Sequence, residues 1–335
     1  FTDYNKFVRE FLHRYDLKCT ISKGGDLGYV KDLPKLLWHY ETVNKIEGTA
    51  LGNLTKLARE DGVKVFITGD AADEIFGGYK TASDFYNINR KYNNPTIRVM
   101  NKILRRLFPS SYNSYGDVNP LSLYNTTPFS SHLNEGPLNM LYHNGQRLND
   151  WSKYYNSYDF ISDKTEKSMN AFLLDDIGYK VQRYLVRSDR FGMMNSIEMR
   201  TPFLYTPIVE LAVNTPIDYK LRKNIFGQSY TQKYIIKKLA EKVGVGKKIS
   251  YRKKIGTPLS MDSAIIKIIK NWPLKNISQI LRINAKTLID IMLYSKDPEL
   301  ERLRYSMFSM ELLIAMFVNG ESYQVLRERI CSIVD

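Results

Sequence analysis

The run Val65-Phe66-Ile67-Thr68-Gly69-Asp70-Ala71-Ala72-Asp73-Glu74-Ile75-Phe76-Gly77-Gly78-Tyr79 constrains the fold more than any other stretch. An apolar, partly β-branched strand runs straight into a turn carrying three carboxylates. The turn then enters an apolar helix start closed by glycines. Open α/β sheets place ligands beyond the carboxyl ends of their strands, so a polar turn at this point is where chemistry belongs. Asp70 and Asp73 lie three residues apart and can face one site from a turn or a first helical turn. Such a pair suits a divalent cation, or the polyphosphate chemistry that uses one, because hard cations take oxygen ligands. The same residues also fit a plain helix N-terminus, with acidic groups complementing the helix dipole. The residues alone leave both readings open.

Around this turn the chain alternates between helical and strand-like patterns. Phe7, Val8, Phe11 and Leu12 predict an amphipathic helix over 3–15, and Lys18–Ile21 reads as a short strand with Gly24 and Gly25 turning after it. Helices follow at Leu33–Tyr40 and Thr49–Glu60, the second stopped by Asp61-Gly62. The strand at 63–67 delivers the acidic turn. This alternation predicts an α/β fold with a parallel, doubly wound sheet covered by helices. Three regions are expected: 1–80 with the sheet, 81–165 as a helical and irregular insertion punctuated by Pro109, Pro120, Pro128 and Pro137, and 166–335 as a mostly helical remainder. Tyr112–Tyr124 reads as a surface loop. His132 and His143 lack metal-ligand spacing. Leu173, Leu174, Ile177, Val181, Tyr184 and Leu185 form one apolar helical face.

Composition narrows the class. The formal charge of +14 suits either a nucleic-acid binder or a cleft for anionic phosphates. No RNA- or DNA-binding motif occurs and the basic residues are spread along the chain, so nucleic acid is not the expected partner. No apolar run is long enough to span a bilayer. Phe-Thr-Asp-Tyr-Asn-Lys is not a signal peptide, and Cys19 and Cys331 imply no disulfide framework, so a cytoplasmic location is expected. The first residue is Phe, which predicts a fragment or a processed product.

Three motifs, in order, carry a resemblance. The first is the acidic turn, Gly69-Asp70-Ala71-Ala72-Asp73-Glu74-Ile75-Phe76-Gly77-Gly78-Tyr79. The second is Leu185-Val186-Arg187-Ser188-Asp189-Arg190-Phe191-Gly192-Met193-Met194-Asn195-Ser196-Ile197-Glu198-Met199-Arg200-Thr201-Pro202-Phe203-Leu204. The third is Arg252-Lys253-Lys254-Ile255-Gly256-Thr257-Pro258-Leu259, after a helix containing Lys233-Tyr234-Ile235-Ile236-Lys237-Lys238. Together they resemble the ATP-using synthetase domain of the asparagine synthetase (glutamine-hydrolysing) family. Thr68 replaces the family's serine and keeps its hydroxyl, whereas Ala71 replaces a glycine and gives up backbone freedom. Gly192 stands for serine, Asn195 for alanine and Tyr205 for aspartate, and the spacing from Gly256 to Pro258 is shorter than the family's.

The resemblance implies the second half of an adenine-nucleotide alpha-hydrolase (ATP pyrophosphatase) type sheet. It also implies ATP and magnesium as cofactors, with aspartate or another carboxylate and ammonia from glutamine as substrates. It implies a ligase: the carboxylate attacks the α-phosphate of ATP, and ammonia then displaces AMP from the acyl-adenylate. By position, Asp73 would hold magnesium, and Asp70 would orient the substrate amine or help deprotonate incoming ammonia. Thr68 and Gly69 would border AMP, and Lys254 would stabilise leaving pyrophosphate. Magnesium or Lys254 is expected to keep both aspartates charged. Asp189, Arg190, Glu198 and Arg200 would pair and wall the active site.

The family's N-terminal glutaminase and its Ser-Gly-Gly-x-Asp-Ser pyrophosphate loop are not in this sequence. Ser22-Lys23-Gly24-Gly25-Asp26 only superficially resembles that loop, so the chain by itself is expected to be inactive. Amidation of a sugar or peptide carboxylate and a degenerate, non-catalytic homologue stay open as alternatives, as does a homodimer.

Overall fold

A computed structural model describes residues 2–20, 26–43, 47–107, 151–224, 229–252, 262–294 and 299–335. The expectations at Ile21, Gly24, Gly25, Tyr112–Tyr124, His132, His143 and Lys254 lie outside the described residues. The chain folds as two units that interleave along the sequence. The first comprises Phe1–Ile67, Val186–Arg200 and Lys253–Asp335; the second comprises Thr68–Leu185 and Thr201–Arg252.

The first unit is built mostly from amphipathic helices. In the helix Leu33–Tyr40, the i, i+3, i+4 spacing of Leu33, Leu36 and Leu37 turns all three inward, as the helical period requires. Pro34 sits in the first turn, where its missing N–H costs nothing. Val30, Leu33 and Leu37 join Ile265, Ile268, Phe308, Leu312, Leu326 and Ile330, contributed by the helices Asp262–Ile269, Glu299–Phe317 and Tyr323–Val334, in one buried cluster. Trp272 meets Phe308 edge to face at 5.4 Å. Charged groups inside this core are partnered, since an unpaired one would be costly. Glu311 accepts the Ile277 N–H at 2.8 Å, and Arg304 donates to the Met292 carbonyl at 2.8 Å.

The same unit holds a parallel strand pair. Strand β1 (Val65–Ile67) lies beside β2 (Glu198–Arg200) in the register Val65↔Glu198, Phe66↔Met199, Ile67↔Arg200. The expected parallel pairing is therefore present, but as two short strands in a mostly helical structure. β2 arrives directly from the helix Gln182–Met193, whose Phe191 carbonyl accepts a buried hydrogen bond from the Thr55 hydroxyl at 2.9 Å. The strand expected at Lys18–Ile21 is not formed over Lys18–Thr20. A strand needs a ladder for its backbone groups, and here the Thr20 hydroxyl instead bonds the Asp61 carboxylate at 2.7 Å. The helices expected at 3–15, Leu33–Tyr40 and Thr49–Glu60 are present as Thr2–Arg14, Leu33–Tyr40 and Glu47–Glu60.

The second unit packs the helix Lys80–Asn93 on Lys164–Asp176, with Phe85 and Phe172 stacked at 4.4 Å. Asp163 caps the latter helix by accepting the Glu166 N–H at 2.7 Å. Strands β3 (Leu221–Lys223) and β4 (Tyr230–Gln232) form an antiparallel pair. Lys220, almost without solvent exposure, donates to Asn170 at 3.1 Å, and its burial pushes the amine down to about 7. A smaller cluster of Ile75, Phe76 and Ala212, with Phe203, Ile208, Ile235 and Ile236 against it, clamps the one-turn helix Ala72–Ile75. Among the described residues, no helix is long and apolar enough to cross a membrane.

Candidate active site

The acidic turn begins where β1 ends. Thr68 folds it: its hydroxyl donates to the Asp70 carboxylate at 3.1 Å and accepts the Asp70 N–H at 3.4 Å. This side-chain-to-backbone bonding is the turn chemistry available to serine and threonine, so the exchange of serine for threonine preserves it. Gly69 is exposed, and the space where a side chain would begin is open.

Ala71 then takes φ +72° and ψ −17°, the left-handed region. The family's glycine at this position is thereby explained, and Ala71 bears a strain of roughly 1–2 kcal/mol. Its buried methyl returns about 0.8 kcal/mol, and alanine saves about 0.5–1 kcal/mol of unfolded-state entropy relative to glycine. These terms nearly cancel. Ala71→Gly is therefore expected to shift stability by less than about 1 kcal/mol in urea titration. Ala71→Val should lose more than about 2 kcal/mol, since a β-branched residue tolerates neither the left-handed backbone nor the lack of room.

Asp73, in the first turn of Ala72–Ile75, forms an ion pair with Lys233: Nζ to Oδ1 is 2.8 Å, with side chains 28% and 22% exposed. The two carboxylates that sequence spacing groups together thus have different partners, Thr68 for Asp70 and Lys233 for Asp73. The positive charge expected from magnesium or Lys254 is supplied at Asp73 by Lys233. Gly78 closes over the other side of Asp73, its N–H donating to the Asp73 carbonyl at 2.7 Å.

Behind the turn lies a buried acid network, two of whose members, Glu74 and Tyr79, belong to the first motif although the sequence alone assigned them no role. Glu74 is 2% exposed and accepts a hydrogen bond from the Tyr79 hydroxyl at 2.5 Å. Burial pushes the Glu74 carboxyl up, and burial together with Glu74 pushes the Tyr79 hydroxyl up. Asp176 is pushed up to about 6 by burial, against the pull of Lys180 at 2.7 Å. Lys180 lies over the Tyr79 ring at 5.4 Å and belongs to a π-helical turn, Ile177–Val181. Such turns widen the helix locally and are frequent at functional sites. For Asp176 and Lys180 only their i, i+4 spacing was available as a signal.

Of the second motif, Val186–Arg200 lies in the first unit. Asp189 and Arg190 are exposed on the helix Gln182–Met193, and Arg190 pairs with Glu41 at 3.2 Å. Glu198 and Arg200 pair along β2 at 2.9 Å, both well exposed, and the arginine draws the glutamate carboxyl down. Arg190 with Glu41, and Glu198 with Arg200, therefore form surface pairs of small energetic weight, and Asp189 lies exposed beside Arg190.

Among the described residues, no three His, Cys, Asp or Glu side chains converge as a metal cage. Magnesium does not require one. It keeps several waters and binds through one or two carboxylates together with substrate phosphates. Asp73, partly exposed and already holding a cation, fits that mode.

The asparagine synthase family profile matches residues 14–302. Over 267 residues the chain is 25% identical to asparagine synthetase (glutamine-hydrolyzing) 1 of Bacillus subtilis, covering 75% of this chain and 39% of that protein. It is likewise 25% identical over 253 residues to a Mycobacterium tuberculosis protein named "Putative asparagine synthetase (glutamine-hydrolyzing)", covering 69% of this chain and 35% of that one. The matched stretch thus spans under two fifths of each relative's length. With the profile covering most of its length and the acidic turn inside the match, the chain belongs to the asparagine synthase family.

Proposed function

We propose that the full-length protein is an ATP-dependent amide-forming ligase acting on aspartate. The observation that carries this reading is the turn at the end of β1, which presents Asp70 fixed by Thr68 and Asp73 paired with a cation. A carboxylate oxygen of the substrate attacks the α-phosphorus and pyrophosphate leaves. Ammonia then attacks the acyl carbon and AMP leaves. Asp73 would hold magnesium, which when bound lowers the charge met by the attacking carboxylate. Asp70, hydrogen-bonded by the Thr68 hydroxyl, would take a proton from the attacking ammonia, a role that needs geometry before basicity. Thr68 and Gly69 would border AMP through their backbone. Lys254, assigned on its motif alone, would meet the leaving pyrophosphate.

Pyrophosphate release by the full-length protein with ATP, magnesium, aspartate and ammonium tests this. Asp73→Asn should cut it by on the order of a hundredfold, the several kcal/mol that metal-borne charge stabilisation supplies. Asp70→Asn should keep nucleotide binding and lose amide formation. Near-normal turnover in both variants would return the two carboxylates to helix capping.

A further inference from the structure

Lys233 sits where a lysine is locally disfavoured. It precedes the helix Tyr234–Lys242 at its N-cap, with φ 51° and ψ 42° and no side-chain cap to the helix. Left-handed backbone is costly for a residue with a Cβ. Ser, Thr, Asp and Asn are the residues that satisfy an N-cap, and a positive charge there opposes the helix dipole. A residue that breaks three local rules is held by something outside its own segment. That something is Asp73, 2.8 Å from its ammonium.

The surroundings fix this meeting from both sides. Gln232, the last residue of β4, donates to the Ser83 hydroxyl at 3.2 Å. Within the first turn of the helix, Ile235 and Ile236 pack against the cluster that contains Ile75 and Phe76. Gly78 leaves no space behind the Asp73 carboxylate: a Cβ there would lie 1.8 Å from Oδ1. The ammonium and carboxylate are thus brought together by packing, not by the chance approach of two long surface chains.

We propose that Lys233 is a resident counter-cation of Asp73 which a divalent cation must displace, so that Asp73 exchanges an internal ammonium for metal when metal arrives with polyphosphate. This rests on the reading of Asp73 as the metal-holding carboxylate. The electrostatics give it direction. Without metal, the Lys233 ammonium 2.8 Å away faces the Asp73 carboxylate with opposite charge. A divalent cation on Asp73 faces the nearby ammonium with like charge, a repulsion of order kcal/mol even in water, and only an added polyanion offsets it. Metal alone should therefore bind poorly, and metal with ATP well.

The test uses the full-length protein, with Mn2+ as the probe and electron paramagnetic resonance as the readout, first alone and then with ATP. Lys233→Met keeps most of the stem volume and removes the competitor. It should tighten binding of Mn2+ alone about tenfold or more while weakening the enhancement that ATP gives. Lys233→Arg should keep the wild-type ranking, and Asp73→Asn should lose the site. A merely structural lysine would not produce opposite changes in the two measurements. Unchanged or weaker Mn2+ affinity in a Lys233→Met protein of normal circular dichroism overturns the proposal, as does the absence of Mn2+ binding in every variant. Should Lys233→Met not fold, Lys233→Gln and the ATP enhancement in Lys233→Arg decide by the same signs. Because these titrations contain no acceptor and measure no turnover, the ligase reading can fail while the exchange holds, and the reverse.

Discussion

Gly78→Ala is expected to cost the protein both stability and its proposed chemistry, whereas Gly69→Ala, nine residues earlier in the same motif, should leave the fold untouched. A Cβ on Gly78 would lie 1.8 Å from Asp73 Oδ1, 2.7 Å from its Cγ and 2.9 Å from its Cα. The first two atoms could swing away, but only by breaking the pair with Lys233. The third is backbone, so the short helix Ala72–Ile75 must shift as well. Forcing extra atoms into a filled site typically costs about 1–3 kcal/mol. Once the Asp73 carboxylate has turned aside, the adenylation step of the proposed ligase should fall by on the order of a hundredfold. Gly69 is the control: nothing lies within 4 Å of its Cβ position. If its backbone borders the nucleotide, as the proposed function has it, Gly69→Ala should weaken ATP binding with no change in melting temperature. Equal melting temperatures for wild type and Gly78→Ala, with unaltered pyrophosphate release, would show that Asp73 is not held as described.

What the sequence made legible follows from which interactions are local. Helices announced themselves because Leu33, Leu36 and Leu37, or Leu173, Ile177 and Val181, repeat with the helical period. β1 was legible because three apolar residues run into a turn with a defined chemistry. Its partner β2 was not. Glu198-Met199-Arg200 is a three-residue strand with charged residues at both ends, and nothing local distinguishes it from loop. Its strand character comes from pairing with Val65–Ile67 far along the chain. The Lys18–Ile21 pattern failed in the opposite sense, since β propensity without a ladder does not make a strand.

The site divides in the same way. Thr68, Asp70 and Asp73 could be singled out because the turn's residues are contiguous. Lys233 could be read as part of a motif but not as the partner of Asp73, because sequence spacing says nothing about two groups joined only by packing. Glu74 and Tyr79 lay inside the most informative stretch and still went unassigned, since burial is what turns a surface acid into one whose carboxyl is pushed up.

The last expected result concerns the glycine that replaces the family's serine in the second motif. Restoring the common residue, Gly192→Ser, should destabilise this chain. Gly192 lies one residue before the end of the helix Gln182–Met193, where the chain doubles back into β2. Its carbonyl accepts the N–H groups of Asn195 at 3.0 Å and Ile197 at 2.9 Å, and Ser196 turns through φ +56° to make this possible. The reversal is so tight that a Cβ on Gly192 would stand 2.6 Å from the Ile197 carbonyl oxygen and 2.5 Å from Met199 Cγ. Met199 is flexible and can give way. The Ile197 carbonyl cannot move without disturbing a fully buried side chain and the start of the β1–β2 ladder, where the Glu198 N–H donates to the Lys64 carbonyl at 2.9 Å. Gly192→Ala should therefore cost about 1–3 kcal/mol in chemical denaturation, and Gly192→Ser at least as much. Met199→Ala in the same chain should recover only part of that loss, because it removes the soft contact and leaves the backbone one. Recovery of the whole loss would place the obstruction in Met199 alone. A Gly192→Ser protein as stable as the wild type would mean that β2 is free to slide away from the helix that delivers it, and the pairing of Glu198–Arg200 with Val65–Ile67 would then need another anchor.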